Sequence, residues 1–196
     1  MARDIKNKYF LINILKILSP VLFALFILIA NIISKDKNLE GTYEILNNEE
    51  YVASFVKDTA LAHDNITCAL FMYKIDDYNM DNLQEPLPLI TASLINAAKR
   101  GVDVTMILEV SDDEDDLSNK YNKKTTDYLK KNNINVLFDN ESKKLHAKIC
   151  LIDDKIIYTG SHNFTYSAMA RNSESSVKII SLEEAKKVKK YFKNIQ

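Results

Sequence analysis

Tryptophan is absent from this chain, and glycine, proline and cysteine number only 3, 3 and 2 among 196 residues. So little glycine and proline excludes a collagen-like repeat or a flexible low-complexity linker. Two cysteines cannot build a disulfide scaffold or a four-cysteine zinc site. Charge of one sign is also lacking: 26 Lys and Arg against 27 Asp and Glu give a net charge of -1, so the whole molecule has no strong field for polyanions. What remains, 46% hydrophobic and 27% charged, suits one packed domain with a short appendage.

The near-neutral sum hides an asymmetry. Residues 1–38 hold six basic and two acidic side chains, leaving 20 basic against 25 acidic in the remainder. Much of that acidic surplus is one run, Glu109, Asp112, Asp113, Glu114, Asp115 and Asp116. It lacks the glycine and closing glutamate of a calcium loop and reads as a solvated acidic loop.

From Tyr9 to Ile33 the chain is apolar except for Asn13, Lys16, Ser19, Pro20 and Asn31. As a helix this segment would run ~37 Å, enough to span a bilayer with some tilt. Lys16 can reach the headgroups, leaving Ile17 to Ile33 to cross the hydrocarbon. The reading is a membrane anchor over residues 1–38, with the transmembrane helix at about residues 9–33 and a separate domain over 39–196. A cleaved secretory signal is the alternative, but no small-x-small pair brackets a cut after Leu28-Ile29-Ala30-Asn31. Four basic residues before the apolar core against two just after it favour a cytoplasmic N-terminus and an extracytoplasmic domain. Cleavage would instead release the domain as a secreted or periplasmic protein.

Beyond Asn38 the pattern is α/β. Apolar positions predict a helix near Asn48–Ala62, a buried strand at Ile66–Tyr73, a helix at Leu87–Arg100 stopped by Gly101, and a strand at Val102–Val110. A polar helix near Lys120–Lys131 and a strand at Ile134–Phe138 follow. Leu145–Ile152 and Lys155–Thr159 then flank Asp153 and Asp154 as a hairpin would, before a strand at Ser175–Ile180 and a helix at Leu182–Phe192. No internal repeat is present. Cys68 and Cys150 lie in apolar runs and read as small core residues; whether they pair is left open. His63 and His162 read as structural histidines, and Tyr158, Phe164 and Tyr166 as core, with substrate contact the alternative.

The chemistry concentrates in Leu145-His146-Ala147-Lys148-Ile149-Cys150-Leu151-Ile152-Asp153, followed by Gly160-Ser161-His162-Asn163. On a strand, His146 and Lys148 share a face. An imidazole can attack phosphorus, while an ammonium and the Asn163 amide hold the non-bridging oxygens whose charge grows in the transition state.

This pattern, HxKx4D followed by GSxN, resembles the signature of the phospholipase D superfamily at His146, Lys148, Asp153, Gly160, Ser161 and Asn163. Glu174 falls where the family keeps an acidic residue that binds the histidine, and Lys99-Arg100-Gly101-Val102 resembles its helix-to-strand junction. The resemblance covers roughly residues 48–180. It implies a mixed central β-sheet flanked by helices on both faces, with a catalytic set of His146, Lys148, Asn163, Glu174 and Asp153. Substrate binding would fall to Lys148, Gly160, Ser161 and Asn163. Asp153, seven residues from His146, is offset from the imidazole's face and suits the positioning of a turn better than catalysis. Only one motif copy is present, so the resemblance implies a homodimer with one shared site and two His146 residues. One would form a phosphohistidine; the other would protonate the leaving oxygen and then activate water. No metal or cofactor is required. Three functions follow: a membrane-anchored, metal-independent endonuclease preferring single-stranded nucleic acid, a phospholipid or cardiolipin hydrolase with the same chemistry, and, least favoured, a non-catalytic phosphate-binding dimer.

Overall fold

In the computed structural model the described residues are 41–75, 80–111, 113, 116–140 and 143–196. The expected transmembrane helix and the run residues Asp112, Glu114 and Asp115 lie outside them. Among the described residues no helix is long and apolar enough to cross a membrane.

Strand β1 (Thr42–Asn47) opens the domain and is followed by α1 (Glu49–Leu61). Glu49 and Glu50 in the first turn of α1 complement the helix dipole, and Tyr51, Val52 and Phe55 face inward. Next come β2 (Asn65–Leu70), α2 (Pro86–Lys99) and β3 (Asp103–Leu108). Helix α2 starts on a proline and stops before Gly101, whose φ of 95° suits a residue without a side chain. Helix α3 (Leu117–Lys131) starts earlier than its apolar pattern suggests, because the Asp116 side chain accepts from the Ser118 N–H at 2.8 Å. The chain continues through β4 (Asn135–Phe138), β5 (Lys148–Ile152), β6 (Ile156–Gly160), the short α4 (Tyr166–Ala170), β7 (Ser175–Ile180) and α5 (Leu182–Asn194).

The seven strands form one mixed sheet in the order β1-β7-β6-β5-β2-β3-β4. The β2–β3 and β3–β4 pairs are parallel, as the intervening helices require, and the others antiparallel. One core joins Phe55, Leu87, Leu94, Met106, Tyr158 and Phe164 on the face covered by α1 and α2. A smaller one packs Ala69, Ile107, Leu151 and Ile157 against Ala185 and Phe192 of α5 on the other face. The sheet is therefore flanked by helices on both faces, as the resemblance implies.

Two readings need correction, and one left open is closed. Cys68 and Cys150 are core residues, as expected. The β2–β5 register sets them opposite one another, with Cα atoms 4.0 Å apart, joined as a disulfide. Glu109 is no part of a solvated loop: it is 2% exposed, accepts from the Leu145 N–H and faces Asp139, and burial raises the pKa of both carboxyls. Strand β2 ends at Leu70, not Tyr73, because the Tyr73 N–H turns aside to Asn122 Oδ1 at 2.8 Å.

Candidate active site

The strand directions determine which residues can meet. β2 and β3 end at one edge of the sheet; β5 and β7 begin there, and β6 and β1 end there. Lys148, Gly160, Ser175 and Asn47 thus gather at the carboxyl end of the parallel strands, where open α/β sheets commonly place ligands. Because β5, β6 and β7 are adjacent, the two motif halves and Glu174 come together although 28 positions separate His146 from Glu174.

His146 is not on a strand, since β5 begins at Lys148. The imidazole rests instead against the Phe71 ring, with centroids 4.6 Å apart at 52°, and the Phe71 N–H donates to the Ala147 carbonyl at 2.9 Å. Lys148 Nζ donates to the His146 carbonyl at 2.9 Å and lies 5.0 Å from the Phe71 centroid, so the ammonium reaches the histidine by folding back. Its charge is the first cause of a lowered His146 pKa, followed by desolvation and by Lys144. Lys148 is pushed down by burial, against the pull of Glu174.

Glu174 is held at its backbone by Asn48: the Asn48 side-chain oxygen accepts from its N–H at 2.9 Å, and the Asn48 N–H donates to its carbonyl at 3.0 Å. Asn48 adopts a φ of 49° with ψ −119°, outside the left-handed helical region. The Glu174 carboxylate accepts from Asn172 Nδ2 at 2.9 Å. Among the described residues no hydrogen bond joins it to His146. The charges that respond to it are Lys148 and His162.

Gly160 allows β6 and β7 to touch: a Cβ there would collide with Ser176 Oγ and Cα and lie 2.6 Å from the Ser175 carbonyl oxygen. Ser161 stitches the same strands, its hydroxyl accepting from the Ser175 N–H at 3.0 Å and its N–H donating to the Ser175 carbonyl at 3.1 Å. The Asn163 side-chain oxygen is buried without a partner among the described residues. Beside it His162 is 1% exposed, stacked on Tyr51 at 4.3 Å, with Nδ1 2.7 Å from Ser176 Oγ; burial lowers its pKa. Tyr158 and Phe164 are fully buried core.

Asp153 does not join this group. It occupies the β5–β6 turn at the opposite end of the strand, with φ 50°, followed by Asp154 at φ 54°. Its carboxylate accepts from the N–H groups of His63, Asp64 and Asn65, the nearest contact being 2.8 Å, and so binds the α1–β2 loop to the hairpin. Asn48, Tyr51 and Phe71, all in contact with the motif residues, carried no sequence signal; His162 sits inside the motif at its unconstrained position.

A family model for the cardiolipin synthase, PLD-like domain matches residues 59–196. The chain belongs to the phospholipase D superfamily. Within it, the phospholipase D of Rickettsia prowazekii is 39% identical over 106 residues, covering 54% of this chain and 47% of that protein. That of Rickettsia bellii is 38% identical over 106 residues, covering 54% and 48%. The chain thus spans about half the length of the curated relatives it matches. Among solved structures, the phospholipase D family member Nuc from Salmonella typhimurium superposes with a TM-score of 0.64 at 21% identity, covering 80% of this chain and 94% of that one. NucT from Helicobacter pylori gives 0.60 at 22%, covering 80% and 96%. The phosphatidylserine synthase of Haemophilus influenzae gives 0.58 at 13%, covering 78% and 38%. At these identities the likeness is one of fold.

Proposed function

We propose that this phospholipase D superfamily member is a membrane-anchored phosphodiesterase that hydrolyses nucleic-acid phosphodiester bonds, single strands in preference to duplexes, at a site shared by two subunits. The observation that carries the reading is the convergence of His146, Lys148, Gly160, Ser161, Asn163 and Glu174 on one end of three adjacent strands. A neutral His146 attacks phosphorus; the P–N bond forms as the bond to the leaving oxygen breaks, and the second His146, protonated, donates to that oxygen. The same imidazole then takes a proton from water, whose oxygen displaces the histidine and releases a phosphate monoester. Lys148 and the Asn163 amide hold the non-bridging oxygens. Glu174, acting on Lys148 through space, keeps that ammonium charged.

Substrate preference rests on charge. Lys148 sets an ammonium group on Phe71 beside His146, and Lys144, ion-paired with Asp116 at 2.8 Å, sets a second one nearby, enough for a phosphate of a flexible strand. A domain with 20 basic and 25 acidic side chains is poorly suited to track a duplex. The names of the curated relatives favour a second reading, hydrolysis of phosphatidyl or cardiolipin headgroups. The anchor reading places residues 9–33 across a bilayer with the domain outside the cytoplasm. The Cys68–Cys150 disulfide supports that side, because oxidising compartments preserve such bonds. The test compares the full chain with His146→Ala on labelled single-stranded DNA, RNA and phospholipid in EDTA. Single-strand cleavage that persists in EDTA and disappears in the variant is expected; cleavage abolished by EDTA, or equal in both proteins, would refute the mechanism.

A further inference from the structure

His146 lies ahead of its strand and needs other support. The β2–β5 ladder ends at Leu70 and Lys148. Continued, its register would set Tyr73 opposite Leu145, but the Tyr73 N–H turns to Asn122 Oδ1 instead. The backbone on each side of the exposed His146 is nevertheless held. After it, the Ala147 carbonyl accepts from the Phe71 N–H at 2.9 Å; before it, the buried Leu145 donates its N–H to the Glu109 carboxylate. One side chain fixes both supports. Asn122, fully buried on α3, donates through Nδ2 to the Phe71 carbonyl at 2.9 Å and to the Glu109 carbonyl at 3.0 Å. The Glu109 carboxylate thus replaces the strand partner that Leu145 lacks.

Glu109 does not stand alone. It and Asp139 follow Leu108 and Phe138, register partners on β3 and β4, so the two carboxyls leave the sheet side by side and hydrogen-bond to each other. Both are buried, at 2% and 7% exposure, and the Val110 N–H fixes Asp139 by donating to its Oδ1 at 2.9 Å. Two carboxyls in such contact need a proton between them, since two anions there would repel with little water to screen them. Desolvation favours that proton at both groups. The charges facing Glu109 are Lys144, which opposes the proton, and Asp116, which favours it and pairs with Lys144 at 2.8 Å. Lys143 and Tyr191 of α5 line the cavity that Asp139 and Leu145 border.

We propose that Glu109, sharing one proton with Asp139, is a positioning residue for His146: by holding the Leu145 N–H it sets the line along which the imidazole approaches phosphorus. The shared proton matters because a doubly ionised pair would drive the Glu109 carboxylate away from Asp139 and off Leu145. A misplacement of about 1 Å is enough to cost on the order of 10²-fold in rate. The proposal rests on the reading of His146 as the attacking group.

The test joins a titration that needs no turnover to a pair of variants. In the full chain, carbon-13 NMR follows the Glu109 and Asp139 carboxyls, while nitrogen-15 NMR follows the Leu145 amide and the His146 ring. Two coupled carboxyl steps are expected, the upper one above the ordinary carboxylate range, with the Leu145 and His146 signals shifting in that upper step. In Glu109→Gln the amide oxygen can accept from Leu145 and its NH2 can donate to Asp139, so the upper step should vanish. Glu109→Leu, which offers Leu145 no acceptor, should lower kcat on the order of 10²-fold with KM within about twofold, and Glu109→Gln should recover most of that loss. Carboxyls that titrate independently in the ordinary range overturn the proposal, as do Leu145 and His146 signals indifferent to the upper step. A Glu109→Gln as impaired as Glu109→Leu also overturns it. If Glu109→Leu does not fold, the titrations of the parent and Glu109→Gln decide. A parent that shows the coupled steps but cleaves no phosphodiester refutes the hydrolase and leaves the acid pair's hold on His146 standing; an active parent without them refutes the pair and leaves the hydrolase.

Discussion

The proton on His146 decides which step its imidazole can perform. Lys148, partial desolvation and Lys144 all push its pKa below the ordinary imidazole value, so near neutral pH the ring carries a lone pair fit for attack. Replacing Lys148 by Met removes the largest of these influences. The His146 pKa then rises toward ~6.5, and at mildly acidic pH more of the ring is protonated and unable to attack. An NMR titration of the His146 ring in Lys148→Met reads this without any turnover; a pKa that stays or falls would sink the coupling. Turnover itself should drop on the order of 10²–10³-fold as a phosphate-holding cation is lost, with the acid limb of residual activity displaced to higher pH. His146, Lys148, Gly160, Ser161, Asn163 and Glu174 were legible because their offsets along the chain are regular. Asn48 was not, because its role consists of contacts with Glu174, 126 positions away. Nor could the sequence reveal that Glu174 acts on Lys148 and His162 in preference to His146, which depends on how Lys148 folds back.

At the scale of the elements, one motif residue serves the fold and not the site. Asp153 lies at the far end of β5, a strand of five residues, or about 17 Å at the usual rise. Asp153→Ala strands three backbone N–H groups and puts alanine at positive φ, so it should cost about 2 kcal/mol; Asp153→Asn, which tolerates that φ and keeps an oxygen acceptor, should cost less than about 1 kcal/mol. Urea unfolding gives both values. Turnover of folded Asp153→Asn should stay within about twofold of the parent, and a hundredfold loss would bring the carboxylate back into the chemistry. The disulfide belongs to the same scale. It joins β2 to β5 across 82 positions, and chain entropy assigns such a bridge about 4 kcal/mol. Reduction should lower the unfolding midpoint accordingly, while a midpoint indifferent to reductant would show the thiols already free. Helix and strand placement was largely readable from apolar spacing. The cysteine pairing was not, since it follows from a non-local register. Strand β1 was missed because its pattern misleads: Tyr43 and Ile45 point to solvent, and Leu46 alone is buried.

At the scale of the whole molecule, the histidines of one protomer supply too little acid for the proposed reaction. Expulsion of an alkoxide needs a proton donor beside the leaving oxygen. Within a protomer His146 is biased toward neutrality, and His162 is buried against Tyr51 with its own pKa lowered. In the proposed dimer a second His146 across a two-fold axis would supply the donor, and mutual repulsion together with Lys148 would keep the two rings from both being cationic at once. This arrangement has a quantitative signature. When wild type is exchanged with an equal amount of His146→Ala, random pairing leaves only about half of the wild-type chains facing another intact His146, so activity per wild-type chain should fall to about half and keep falling in proportion as the variant is increased. A self-sufficient subunit would instead hold constant activity per wild-type chain at every ratio. Measuring turnover across the mixing series, after subunit exchange has been verified with two differently tagged chains, separates these behaviours; a flat profile would remove the shared site and, with it, the division of labour between the two imidazoles.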